Sequence, residues 1–188
     1  MKNVIIVHGG NDTATEAKKG KLENERHWQI WLKKELEKKG FEVSNKLYPE
    51  NWAPNYEKWK NVFEKNKINK NSILVGHSDG ASFLVRWLGE NKEKINKLIL
   101  ISPWKVSYRK GEVDKDFYEF DIDNTIKERV GYTVIFTSNN DRTEVKEGLK
   151  TFYELLGGKV INLKNKGHFT LEDMKTNEFP ELLEEILK

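Results

Sequence analysis

The 188-residue sequence has no cysteine, four prolines, two methionines and five arginines against 28 lysines. Without cysteine there is no disulfide, no thiol nucleophile and no thiolate-held zinc. No apolar run approaches the ~18 residues that a membrane span requires. The opening M-K-N-V-I-I-V-H breaks after four apolar residues, short of a signal peptide's core. Scarce arginine, with lysine interleaved among glutamates at a net charge of +3, describes a solvated surface and not a nucleic-acid face. These absences predict a soluble, cytoplasmic protein with no nucleic-acid or membrane partner; no motif identifies a protein partner. Nucleotide and metal motifs are missing too. Gly20-Lys21 is followed by Leu22, so there is no phosphate-binding loop, and neither G-x-G-x-x-G after the first strand nor H-E-x-x-H occurs. The expectation is no cofactor and no metal.

What is present is a chain built for a core. Charged residues reach 34%, above the usual ~25%. Aromatic residues at 11% and repeated Ile/Val/Leu runs nevertheless argue against disorder. The length fits one domain, residues 1–188. Short β-branched runs alternate with longer amphipathic stretches. Strands are predicted at Val4–Val7, Phe41–Leu47, Ser72–Val75, Lys97–Ile101, Thr133–Thr137 and Lys159–Leu163. Helices are predicted at His27–Lys39, Asn55–Lys65, Ala81–Leu88, Thr143–Leu156 and Glu178–Leu187. This alternation means βαβ units and a parallel sheet of six strands covered on both faces, with reactive groups gathered beyond the strands' carboxyl ends. Two segments interrupt it. Asn11–Arg26 is polar and lysine-rich, and Trp104–Gly131 carries an aromatic-acidic middle and is predicted to hold a crossover helix near Asp123–Val130. Either could cover the site as a lid.

The sharpest motif is Gly76-His77-Ser78-Asp79-Gly80, between a strand and an almost wholly apolar helix. This is the G-x-S-x-G nucleophile elbow in its proper context. A turn so tight strains the serine backbone, and the glycines remove side chains that would strike strand and helix. The serine hydroxyl is thrust out at the sheet edge, beside the N–H groups of a helix start.

A serine hydroxyl needs a base within hydrogen-bond reach. Of four histidines, His27 is predicted to start a helix facing solvent, His77 to point away from Ser78 and pack behind the turn, and His8 to shape the loop after the first strand. His168 remains, after the last strand, with Gly167 allowing its loop to turn back towards Ser78. The base needs a carboxylate to fix its tautomer. Asp141 follows the preceding strand, and the chain order Ser78, Asp141, His168 is the one expected of α/β-hydrolases. Asp121 and Asp123 are rivals, and Asp141 could instead cap the helix Thr143–Leu156 or pair with Arg142. The oxyanion hole is assigned to the backbone N–H groups of Asp79 and Gly10, with Asn11 next to it. The Asp79 side chain would disfavour anionic substrates if it faced the pocket. Trp52 and Trp104 each follow a strand and are candidate pocket walls or, equally, core aromatics.

The segments V-I-I-V-H-G-G, W-Q-I-W-L-K-K-E-L, I-L-V-G-H-S-D-G-A, F-T-S-N-N-D and K-G-H-F resemble the small serine hydrolases of the retinoblastoma-binding-protein and YdeN group, within the α/β-hydrolases. The resemblance spans the chain in order and length. It implies a three-layer Rossmann-like α/β core with strand order 2-1-3-4-5-6 and minimal or no lid. It implies Ser78, Asp141 and His168 as a triad acting on small esters or amides; the same machinery with a different pocket would make an amidase, peptidase or thioesterase. Asp79 departs from the group's pattern, which more often has a small residue there. The alternative function is a non-catalytic protein-binding module on a hydrolase scaffold.

Overall fold

The computed structural model describes residues 2–11, 23–105 and 115–188. Six parallel strands form one sheet in the order β2-β1-β3-β4-β5-β6. They are β1 (Asn3–Val7), β2 (Glu42–Asn45), β3 (Ile73–His77), β4 (Ile95–Ile101), β5 (Val130–Ser138) and β6 (Lys159–Leu163). The helices are α1 (Glu23–Arg26), α2 (Gln29–Lys38), α3 (Tyr56–Phe63), α4 (Asp79–Asn91), α5 (Thr143–Leu156), α6 (Leu171–Met174) and α7 (Pro180–Leu187).

Because strand side chains alternate between faces, an uninterrupted apolar strand must be covered on both sides. In β1, Ile5 and Val7 join a core beneath α3, α4 and α5, whereas Val4 and Ile6 join one beneath α2 and α7. The first core is aromatic: Trp59 and Phe63 of α3 pack on Phe83 of α4, and Phe63 also packs on Trp87. The second is built around Trp28, Leu32, Leu36, Phe179 and Ile186. Each fully buried large apolar side chain stabilises the fold by roughly 1.5–3 kcal/mol. Three layers result, helix, sheet and helix, with the sheet wholly internal at β1, β3 and β4.

Local signals set the element ends. The Asn55 side chain accepts from the Lys58 N–H at 3.1 Å and caps α3. Gly157, at φ 66°, ends α5. The predicted crossover helix near Asp123–Val130 is instead a short 3-10 turn at Asn124–Glu128. Asp123 accepts from the Thr125 N–H at 2.9 Å, which starts a tight turn. β5 already begins at Val130 and ends the turn there. Most of the Asn11–Arg26 segment and part of Trp104–Gly131 lie outside the described residues, and with them the expectation that either is a lid. Among the described residues, no helix is long and apolar enough to cross a membrane.

Candidate active site

β3 runs straight into the elbow. Ser78 has φ 55° and ψ −117°, a backbone conformation that costs a non-glycine residue about 1–3 kcal/mol. Packing imposes it. A Cβ on Gly76 would lie 2.6 Å from the Ala81 Cα, and one on Gly80 would lie 2.3 Å from the Val7 carbonyl oxygen. Only glycine lets α4 start this close to β3 and β1. Gly9 completes the approach, since a Cβ there would sit 3.0 Å from that of Ser78.

The three residues nominated by spacing meet at this edge. Ser78 Oγ lies 2.9 Å from His168 Nε2, and His168 Nδ1 lies 3.0 Å from Asp141 Oδ1. All three residues are buried. The carboxylate is held on every side. Asp141 Oδ1 also accepts from the Arg142 N–H at 2.7 Å, and Oδ2 accepts from the Ser102 hydroxyl at 2.5 Å. With those donors in place, the carboxylate fixes the imidazole with its proton on Nδ1 and Nε2 free to accept from Ser78. Asp121 and Asp123 are not in this group; Asp123 pairs with Lys92 and Arg129, and hydrogen bonds from Lys92 and Thr125 hold its carboxyl below the usual carboxylate range.

Two loops carry Asp141 and His168, and side chains tie them together. Asn139 Oδ1 accepts from the Asn165 N–H at 2.7 Å, Ser138 Oγ from Lys166 at 3.0 Å, and Asn140 Oδ1 from Gly167 at 2.9 Å. Gly167 has φ 51°, and its missing side chain leaves room for Asp173, which accepts from the His168 N–H at 2.7 Å. The run Ser138-Asn139-Asn140 thus places the base loop, a role for which spacing alone gave no signal.

The other histidines separate cleanly. His77 Nε2 donates to the His168 carbonyl at 2.8 Å, behind the turn, and burial and then the neighbouring His168 and His27 push its pKa well down. His8 donates from Nδ1 to the Gly9 carbonyl and accepts from the Tyr48 N–H at Nε2, so it fixes the β1 loop; burial lowers its pKa as well. His27 does not face solvent as expected. It is buried, with Nε2 2.9 Å from Glu23 Oε1 and Nδ1 accepting from the Leu171 N–H at 3.0 Å. Partners on both sides make that burial tolerable. The Glu23/His27 spacing of four was readable in the sequence; Leu171, 144 residues away, was not.

Ser78 and His168 open on a cavity of about 190 Å³. Gly10 and Asn11 line it from the β1 loop, and Glu23, His27 and Glu172 from the far side. Asn11 is held by Asn51 and Arg26. Trp52 and Trp104 do not line it among the described residues. Trp52 is half-buried in the β2–α3 connection. Trp104 is buried against the His168 ring, with its indole N–H on Asp79 Oδ1 at 2.8 Å. Tyr118 donates to the same oxygen at 2.6 Å. The Asp79 side chain is therefore turned away from the cavity by two buried donors, which removes its expected effect on substrate charge. Its backbone N–H stays at the start of α4, where intrahelical partners are lacking. Among the described residues, no group of three histidines and carboxylates could hold a metal ion.

Known structures share this architecture. The ydeN gene product of B. subtilis superimposes with a TM-score of 0.83 at 22% identity, over 100% of this chain and 97% of that one. A putative YdeN-like hydrolase from Pectobacterium atrosepticum matches at 0.66 and 16% identity, over 99% and 89% of the two chains. A methylesterase from Arabidopsis matches at 0.65 and 13%, over 100% and 98%. At such identities the likeness concerns the fold, a YdeN-like α/β-hydrolase core. No curated protein matches the sequence. Residues 19–185, which span the elbow, Asp141 and His168, fit the family described as Serine hydrolase, and the chain belongs to that family.

Proposed function

We propose that this serine hydrolase cleaves small carboxylic esters, by way of an acyl-enzyme on Ser78. The observation that carries the proposal is the unbroken line from Ser78 Oγ through the His168 ring to Asp141, at 2.9 and 3.0 Å. Ser78 Oγ attacks the ester carbonyl carbon as its proton passes to His168 Nε2. The carbonyl oxygen becomes an oxyanion facing the Gly10 and Asp79 N–H groups, each donor contributing on the order of 10²–10³ in rate. The tetrahedral intermediate collapses and the C–O bond to the alcohol breaks. That alcohol leaves with the proton from His168. Water then gives a proton to His168 and attacks the acyl carbon; the bond from that carbon to Ser78 Oγ breaks, Ser78 takes the proton back from His168, and the carboxylic acid leaves. Asp141 balances the imidazolium in both halves. A cavity of about 190 Å³ lies below the roughly 300–1,000 Å³ of drug-sized sites and supports short substrates.

A fluorophosphonate probe tests this. It is expected to label the protein, to fail on Ser78→Ala, and to react much more slowly with His168→Ala. Folded wild-type protein that takes no label and turns over no short-chain 4-nitrophenyl ester would defeat the proposal and favour a binding module.

A further inference from the structure

Two successive residues at the end of β4 hold both ends of the line from Ser78 to Asp141. The Ile101 carbonyl accepts from the Ser78 N–H at 2.9 Å, across to the elbow. The next residue, Ser102, donates its hydroxyl to Asp141 Oδ2 at 2.5 Å. Ser102 is itself anchored, since its N–H donates to the Phe136 carbonyl of β5 at 3.0 Å. The elbow and the Asp141 loop therefore share one fixed support on the central sheet.

Ser102 has a left-handed backbone, φ 47°. Serine adopts that conformation at a cost that glycine escapes. What the serine side chain adds at this position is the bond to Asp141. The Asp141 side chain is 0% exposed, so water cannot stand in for a lost donor. Its Oδ1 is shared between the Arg142 N–H and His168 Nδ1, at 2.7 and 3.0 Å. Among the described residues, Oδ2 receives a hydrogen bond from Ser102 alone. A bond from a neutral donor to a carboxylate is among the strong ones. Here it fixes the rotation of the carboxyl group, and with Oδ2 tethered, Oδ1 is aimed at the imidazole.

We propose that Ser102 is a positioning residue for the hydrolysis: its hydroxyl, presented by a strained backbone at the end of β4, sets the rotation of the Asp141 carboxylate and through it the aim of His168 at Ser78. This rests on the hydrolase reading above. Ser102 is wholly buried and does not line the cavity, so it acts on the rate and not on substrate binding. Misplacing a reacting group by about 1 Å can cost on the order of 10² in rate, which sets the scale of the effect.

The test uses Ser102→Ala and Ser102→Gly with 4-nitrophenyl acetate. Both remove the hydroxyl, and only glycine relieves the backbone. Each is expected to lower kcat by roughly 10- to 100-fold and to leave KM within about threefold, because acylation and deacylation both pass through His168. The urea midpoint is expected to be higher in Ser102→Gly than in Ser102→Ala, while their kcat values agree. A residue that only supported the fold would give rates that follow the midpoints. Ser102→Ala is then combined with Asp141→Ala. Once the carboxylate is gone, loss of the hydroxyl is expected to cost less than about threefold in kcat, the mark of two groups acting through one another. An unchanged kcat in both variants, rates that follow the urea midpoints, full additivity with Asp141→Ala, or failure of both variants to fold would overturn the inference, while fluorophosphonate labelling of wild-type protein leaves the hydrolase standing. Wild-type protein that takes no label and turns over no ester would instead defeat the hydrolase reading, and this inference with it.

Discussion

The cavity has two unlike walls. On one, a strained elbow and glycines with no room for a side chain place Ser78, and main-chain N–H groups held by side-chain acceptors place Asp141 and His168. On the other, Glu23, His27, Arg26 and Glu172 are placed by side chains reaching between α1 and α6. Chemistry that must be exact to tenths of an ångström sits where the main chain fixes it. The second wall is built where side chains can be exchanged without moving a strand. A similar division recurs in folds whose scaffold carries the catalytic set and whose loops carry specificity.

Breaking the first wall has the largest expected effect. Asp141→Asn places an amide where two donors and an imidazole each require an acceptor. Turnover of a short ester is expected to fall by roughly 10⁴ while the circular dichroism spectrum is unchanged. An undiminished rate would mean that another group orients His168. Next comes Gly80→Ala, whose new methyl has no room beside the Val7 carbonyl. The loss in unfolding free energy is expected to be about 3 kcal/mol, read from urea titration. A cost below 1 kcal/mol would show that the elbow yields more readily than its contacts imply. The smallest effect sharpens the comparison from between the walls. His8 and His77 are buried with lowered pKa values, so the unfolded chain, with histidines near 6.5, binds more protons than the native state as pH drops. Their contribution is complete above pH ~6.5 and is lost as acidity increases below it. The urea midpoint is expected to be lower at pH 5 than at pH 7.5, and the drop shallower in His77→Gln. A pH-independent midpoint would contradict the buried neutral state.

The same division explains what could be read from the sequence. Val4–Val7, Thr143–Leu156 and the glycines around Ser78 carry local signals, so the sheet, its helices and the elbow follow from spacing and composition. The strand order needed the family resemblance, because nothing local says which strands are neighbours. His27 was misplaced because what buries it is the Leu171 N–H, from a distant part of the chain. Asp79 raised doubt as a charge beside the reaction because Trp104 and Tyr118, which turn it aside, come from a segment with no periodic pattern. Ser102 went unnoticed for a similar reason: its role appears only once β4 and β5 lie side by side. The far wall is therefore the less legible part, since all but the Glu23–His27 contact join segments distant in sequence.

The run 138–140 accepts three successive amide protons from 165–167. Asp141 and His168, the proposed acid and base, consequently sit on two loops tied together and anchored to neighbouring strands. In the proposed reaction, whatever motion admits a substrate can leave their alignment untouched, so the proton relay need not be rebuilt at every turnover.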